Sequence, residues 1–206
     1  MDNVQFSKNC WTNRVKIAGN GDPIWLTVPA IRPDGLRTLI RNVEIDGSQD
    51  WVRTQRRTLE ARYGRCEHFK IVYPRLAEIL ESRPVKLAEL NLRIIHWILE
   101  TLSVKVPVIV GSSLNVSGAA SELIVAMCKS VGATQYVAGQ GSDGYEDETV
   151  YERAGVSYRR DNFQHESYAQ EGHDLHIPGL SIFDALVNLG VEGTRQLLVA
   201  PSHQAP

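Results

Sequence analysis

With 206 residues, 43% of them hydrophobic and 22% charged, the chain is long enough to bury a substantial core and too apolar for global disorder. A formal net charge of −2 supplies no overall attraction to nucleic acid or to an anionic membrane. The longest apolar run is too short to cross a bilayer, and residues 1–10 lack the basic and apolar segments of a signal peptide. Cys10, Cys66 and Cys128 lie too far apart for a CxxC pair, which predicts a cytoplasmic protein with three inert thiols.

The first third reads as strand and turn. Residues 23–29 are β-favouring and bracketed by prolines, and Arg32-Pro33-Asp34-Gly35 is a turn in which Pro33 fixes φ and Gly35 tolerates a positive one. Residues 41–45 alternate polar and apolar, as a half-buried strand does. From 48 to 63 the period becomes helical, with Ser48 as N-cap and Gly64 just past the end. Arg53, Arg56 and Arg57 share one face there. Glu60 is spaced to pair with Arg56 and Arg57, so a solvated, salt-bridged face is the simplest account, and an anion-binding ridge is the sharper alternative.

Pro74 reads as a first-turn residue of a short helix through Leu76, Ile79 and Leu80, ended by Pro84. Residues 86–102 carry the strongest helical period, with Asn91 alone among apolar residues. A buried amide without partners costs about 1–3 kcal/mol, so Asn91 is expected to bond a neighbouring loop. Residues 104–110 form a continuous apolar run, the mark of a strand covered on both faces. Then come Ser112 and Ser113, a helix over 120–131 stopped by Gly132, and a strand over 135–138. A helix over 146–154 stopped by Gly155, a strand over 156–159, and a closing helix from 182 to Gly190 complete the order.

This order predicts an α/β fold: a largely parallel, three-layer (Rossmann-like) sheet with helices on both faces, and some antiparallel strand or hairpin in the N-terminal third. One domain over residues 1–196 and a disordered tail over 197–206 are expected. In such a sheet ligands sit beyond the carboxyl ends of the strands, which directs attention to Ser112-Ser113, the turn over 139–144, and residues from Asn162 onward.

Gly139-Gln140-Gly141-Ser142-Asp143-Gly144-Tyr145 lies between a strand and a helix. Glycines let a backbone approach a ligand, but there is no Gly-Lys-Ser/Thr and no dinucleotide fingerprint. A ligand cradle and a plain tight turn are equally compatible with the residues. An imidazole ordinarily titrates near neutrality, so His165 could serve as a general base or acid, with a plain loop histidine as the simpler alternative. The His173-x-x-His176 spacing is a weak metal signal, and no second cluster supports it. Ser181 and Asp184 have capping-box spacing before an apolar helix, so capping is preferred to catalysis for Asp184. There is no GxSxG nucleophile signal. In Trp11-Thr12-Asn13-Arg14-Val15-Lys16-Ile17, Arg14 and Lys16 alternate with apolar residues, giving a basic strand face able to bind carboxylate or phosphate.

Taken in order, these segments resemble the WbqC-like family of bacterial O-antigen and surface-polysaccharide gene clusters. The matching stretches are Asp2-Asn3-Val4-Gln5-Phe6, Trp11-Thr12-Asn13-Arg14, Trp25-Leu26-Thr27-Val28-Pro29 and Glu89-Leu90-Asn91. They continue with Ser112-Ser113, the Gly139 turn with Tyr145, Ala154-Gly155 and Asn162-Phe163-Gln164-His165 with Tyr168 and Gln170. Pro178-Gly179-Leu180-Ser181-Ile182-Phe183-Asp184 with Asn188 and Gly190 closes the match. Family members usually begin with a Gln-Pro…Gly-Tyr-Phe segment, so roughly one βα unit is expected to be missing at the start. His165-Glu166-Ser167 also departs from the family's His-Pro.

The resemblance implies an enzyme of surface-glycan or amino-sugar biosynthesis, with acyl or aminoacyl transfer as the reaction. The alternative is a non-catalytic ligand-binding or assembly protein of a glycan pathway. Expected partners are a nucleotide-linked amino sugar and an acyl donor, with no cofactor, no metal, no nucleic acid and no membrane insertion. His165 is the expected catalytic residue. Substrate binding is expected at Asn13, Arg14, Asn91, Ser112, Ser113 and Gly139, and further at Gly141, Ser142, Tyr145, Gln164, Tyr168 and Gln170.

Overall fold

A computed structural model describes residues 1–7, 10–139, 146–161, 163–164 and 166–199. In chain order the elements are β1 (Arg14–Ile17), β2 (Ile24–Thr27), β3 (Ala30–Ile31), β4 (Glu44–Ile45), α1 (Trp51–Tyr63) and α2 (Phe69–Glu81). They continue as α3 (Leu87–Thr101), α4 (Ala120–Ser130), β5 (Gln135–Ala138), α5 (Glu148–Ala154), β6 (Ser157–Arg160) and α6 (Ile182–Val199). Two compact units result: one holds the described residues of 3–107 and 166–199, the other those of 1–2 and 108–164.

The chain is mixed α and β, but the large parallel sheet is not found among the described residues. Their strands make three two-stranded sheets, β1–β2 and β3–β4 antiparallel and β5–β6 parallel. The antiparallel pairs sit in the N-terminal third, as expected. The main source of the error is the run over 104–110, which pairs with no strand and leaves Val104, Val106 and Ile109 exposed. Pro107 removes a donor from its middle, and a proline there argues against a central strand.

In the larger unit, β1 and β2 lie with Ile17 opposite Ile24 and Lys16 opposite Trp25, so one hairpin face is apolar and the other carries cations and an indole. The apolar face joins a core of Trp51, Val52, Leu59, Tyr63, Leu80, Leu87, Leu90 and Leu186, drawn from α1, α2, α3 and α6. Helix α1 starts two residues later than the Ser48 cap predicts. Asp46 takes the Ser48 amide and hydroxyl, and Asp50 caps the helix by accepting from Arg53 N. The Arg56–Glu60 pair forms at 3.6 Å, and Arg56 also pairs with Glu81, giving the solvated ion-pair face.

Helix α2 begins at Phe69, so Pro74 lies inside it and not in its first turn. An interior proline costs about 3 kcal/mol. Burial of Phe69, Val72, Tyr73 and Leu76, with Phe69 and Tyr73 stacked at 4.5 Å, offsets that cost. Residues 40–42 form a 3-10 turn, which shortens the strand expected over 41–45 to Glu44–Ile45.

Helix α6 passes through Gly190, where φ 70° and ψ −176° break the helical path, and then continues to Val199. It therefore extends three residues into the expected tail, while residues 200–206 lie outside the described residues. The smaller unit contains one βαβ turn, β5–α5–β6, whose strands pair in parallel from Gln135↔Ser157 to Ala138↔Arg160. Helix α4 packs on α5, and Tyr151, Val156, Val125 and Cys128 form the buried core.

Candidate functional site

Three side-chain amides, one just before β1 and two from helices, hold the hairpin of the larger unit in place. Asn13 Nδ2 donates to Val28 O at 3.0 Å while Val28 N donates back to Asn13 O at 2.8 Å. From α1, Gln55 Nε2 donates to Thr27 O at 3.1 Å, and from α3, Asn91 Nδ2 donates to Thr12 O at 2.8 Å. Asn91 thus makes the loop bond its position on an apolar face requires.

Behind these contacts lies a cavity of about 290 Å³. Its wall is largely Leu59, Leu76, Leu80, Leu90, Ile94, Ile98 and Phe183, with Thr12, Asn13, Arg14, Gln55, Asn91 and Ser181 as the polar groups. The volume falls near the lower end of ligand pockets, and the composition, apolar with a few placed polar groups, is that of a small-molecule site. Asn13 Oδ1 is buried without a hydrogen-bond partner, an acceptor left over after its amide is used.

Beside the cavity the cationic hairpin face carries the Trp25 indole, and Trp11, in the turn before β1, lies next to it. Trp11 and Trp25 have ring centroids 4.9 Å apart at 56°. The Arg14 guanidinium carbon lies 3.9 Å over Trp25, and Lys16 Nζ lies 5.5 Å from Trp25 and 5.9 Å from Trp11. These separations are within cation–π range.

A second polar group forms where the segment before α6 meets that helix. Asp184 is fully buried, and its Oδ2 accepts from the Tyr168 hydroxyl at 2.8 Å and from Gln170 Nε2 at 3.0 Å. Gln170 also donates to Ile177 O and accepts from Ile177 N, so its amide is engaged on both sides. Burial, and then the Asp184 charge, push the hydroxyls of Tyr63 and Tyr168 well above the ordinary phenol range. Burial first, then Asp184 and Glu171, push the Cys66 thiol up to about 11, which keeps it protonated at neutral pH. Asp184 is therefore not the capping residue its spacing predicts. Ser181 Oγ alone faces the helix start, accepting from Phe183 N at 3.4 Å.

A family model described as the WbqC-like protein family matches residues 1–196. The chain belongs to the WbqC-like family. Among curated relatives, an uncharacterized protein, Rv1507c, of Mycobacterium tuberculosis (strain ATCC 25618 / H37Rv) is 30% identical over 194 residues, covering 93% of this chain and 83% of its own. No solved structure matches the chain.

The residues that the WbqC-like resemblance nominates separate into groups. Asn13, Arg14 and Asn91 come together at the cavity. Tyr168 and Gln170 come together on Asp184. In the smaller unit, Ser112 donates from its amide and hydroxyl to the two oxygens of Asp2, each at 2.7 Å, and Ser113 Oγ bonds Val110 O. Partial burial pushes the Asp2 carboxyl up, but the Ser112 bonds together outweigh it and hold the group below its usual value. Gly139 and Gln164 are exposed there. Gly141, Ser142, Tyr145 and His165 lie outside the described residues.

Sequence reasoning passed over Trp25 and Gln55 as site residues. Lys16 opposite Trp25 becomes visible only once the hairpin register is known. No triad of His, Cys, Asp or Glu able to hold a metal assembles among the described residues, and His176 Nδ1 lies 3.3 Å from Tyr168 O. Among the same residues, no helix is long and apolar enough to cross a membrane.

Proposed function

We propose that this WbqC-like chain binds a small molecule in the cavity bounded by β1, β2 and α3, and transfers an acyl or aminoacyl group to an amino sugar during surface-glycan assembly. The observation that carries the reading is the convergence of Asn13, Arg14 and Asn91 on an apolar cavity of about 290 Å³. Leucine and isoleucine side chains suit a short acyl chain, and the Arg14 guanidinium suits a carbonyl or anionic group beside it. In the reaction, the sugar amine attacks the acyl carbonyl carbon and the C–N bond forms. The bond from that carbon to the donor's leaving group breaks, and His165 accepts the amine proton.

The test is incubation of the full chain with UDP- or dTDP-amino sugars and a panel of acyl and aminoacyl donors. Acyl-sugar product is expected by mass spectrometry, lost in His165→Ala and Arg14→Ala. No product across the panel contradicts the reading. A second reading, ligand binding without turnover, draws on the amides of Gln55 and Asn91, which donate to the main chain. Complementation that survives Arg14→Ala, Tyr145→Ala and His165→Ala would favour it.

A further inference from the structure

Trp25 on the hairpin and Trp11 in the turn before it are not among the residues of the buried core. Trp51 and Trp97 are buried, whereas Trp11 is 62% and Trp25 is 40% exposed. Leaving indole surface in water forgoes burial energy, so a pair of neighbouring exposed indoles is a candidate contact surface. The hairpin register places Lys16 directly opposite Trp25, with Arg14 two residues away on the same face. The Arg14 guanidinium carbon sits 3.9 Å from the centroid of the Trp25 ring, and of the two indoles Trp11 is the more exposed. Lys16 forms no ion pair among the described residues; its contacts are to the two rings. Trp11 and Arg14 also line the apolar cavity, so this surface is continuous with the cavity mouth.

We infer that Trp11, Trp25, Arg14 and Lys16 form a nucleoside-diphosphate subsite, with the base stacked on Trp11 and the diphosphate held by Lys16 and Arg14. A flat base matches an exposed indole, since every base has a π face. A guanidinium offers a planar fork that suits a bidentate phosphate contact, and the ammonium supplies a second positive charge. A neutral sugar would use the indole and leave the Lys16 ammonium, whose contacts are to the two rings, without a role. A polynucleotide would need a longer basic track, and the chain's net charge of −2 gives no support for one. The inference rests on the cavity reading for the position of the ligand's remainder. Nucleotide binding is measured without any acyl donor, so its result is independent of the transfer reaction.

The experiment is calorimetric titration of the full chain with UDP, with ADP and with inorganic pyrophosphate, alongside tryptophan fluorescence. Saturable binding of at least one nucleoside diphosphate is expected, tighter than pyrophosphate and weakened by added salt. Trp11→Ala should weaken it by about tenfold or more, the scale of one lost base stack. Lys16→Glu should weaken the nucleotide and pyrophosphate alike. Trp11 is exposed and Lys16 half-buried, and unchanged circular dichroism checks that the variants fold. Preference for UDP identifies a sugar nucleotide as the source, and preference for ADP an adenine-nucleotide thioester. The inference is overturned if neither nucleotide binds, if pyrophosphate binds as tightly as both, or if Trp11→Ala and Lys16→Glu leave affinity unchanged.

Discussion

Gly190 sits at φ 70° and ψ −176°, backbone that side-chain-bearing residues rarely adopt. A Cβ there would also meet the His68 ring at 3.0 Å. Both effects act in the same direction, so Gly190→Ala should cost about 1–3 kcal/mol, read as a lower urea midpoint. An unchanged midpoint would contradict the backbone account. Asn13 makes a different kind of prediction. Its Nδ2 holds Val28 while its Oδ1 has no partner, so Asn13→Asp keeps an acceptor and removes the donor. That change should loosen the hairpin by about 1 kcal/mol and place a negative charge beside Arg14, weakening anionic ligands more than neutral ones. Equal effects on both would separate Asn13 from ligand recognition.

At the scale of elements, helices were more legible than strands. The 3.6-residue period and the glycine stops at Gly132 and Gly155, both at positive φ, mark α4 and α5 within two residues of their ends. The apolar run over 104–110 misled because a continuous hydrophobic stretch does not reveal whether a neighbouring strand exists to pair with it. The Ser181/Asp184 spacing misled for a related reason: capping-box spacing says nothing of burial, and Tyr168 and Gln170 hold Asp184 from the segment that precedes α6. Of the site, Asn13, Arg14 and Asn91 were nominated from the chain, but their shared cavity requires the packing of α1, α2, α3 and α6. Helix α3 offers the direct element-scale prediction. Ile94 lines the cavity and is only half-buried, so Ile94→Phe should fill the space with a stability change below about 1.5 kcal/mol while reducing affinity for an acyl ligand. Full acyl affinity in that variant would remove the cavity from the account.

For the whole molecule, the buried phenols set the response to alkali. Tyr63 and Tyr168 are held above the ordinary phenol value by burial and then by Asp184. A raised folded pKa means that the folded state retains protons the unfolded state releases. The associated stability is fully present below the unfolded value of about 10 and is lost as pH rises above it. Urea midpoints should therefore fall above about pH 10, and less steeply in Tyr168→Phe, which is also weaker at neutral pH because Asp184 loses a donor. An equal slope in the variant would show that Tyr168 does not carry the effect.

The cavity as ligand site is the claim on which the functional reading depends, and an NMR titration of the isotope-labelled chain with a UDP-amino sugar and a short-chain acyl donor tests it most directly. Saturable shifts are expected at the side-chain amides of Asn13, Gln55 and Asn91 and at the methyl groups of Ile94. Shifts confined to Ser112, Gly139 and Gln164, with the cavity resonances unchanged, would contradict it.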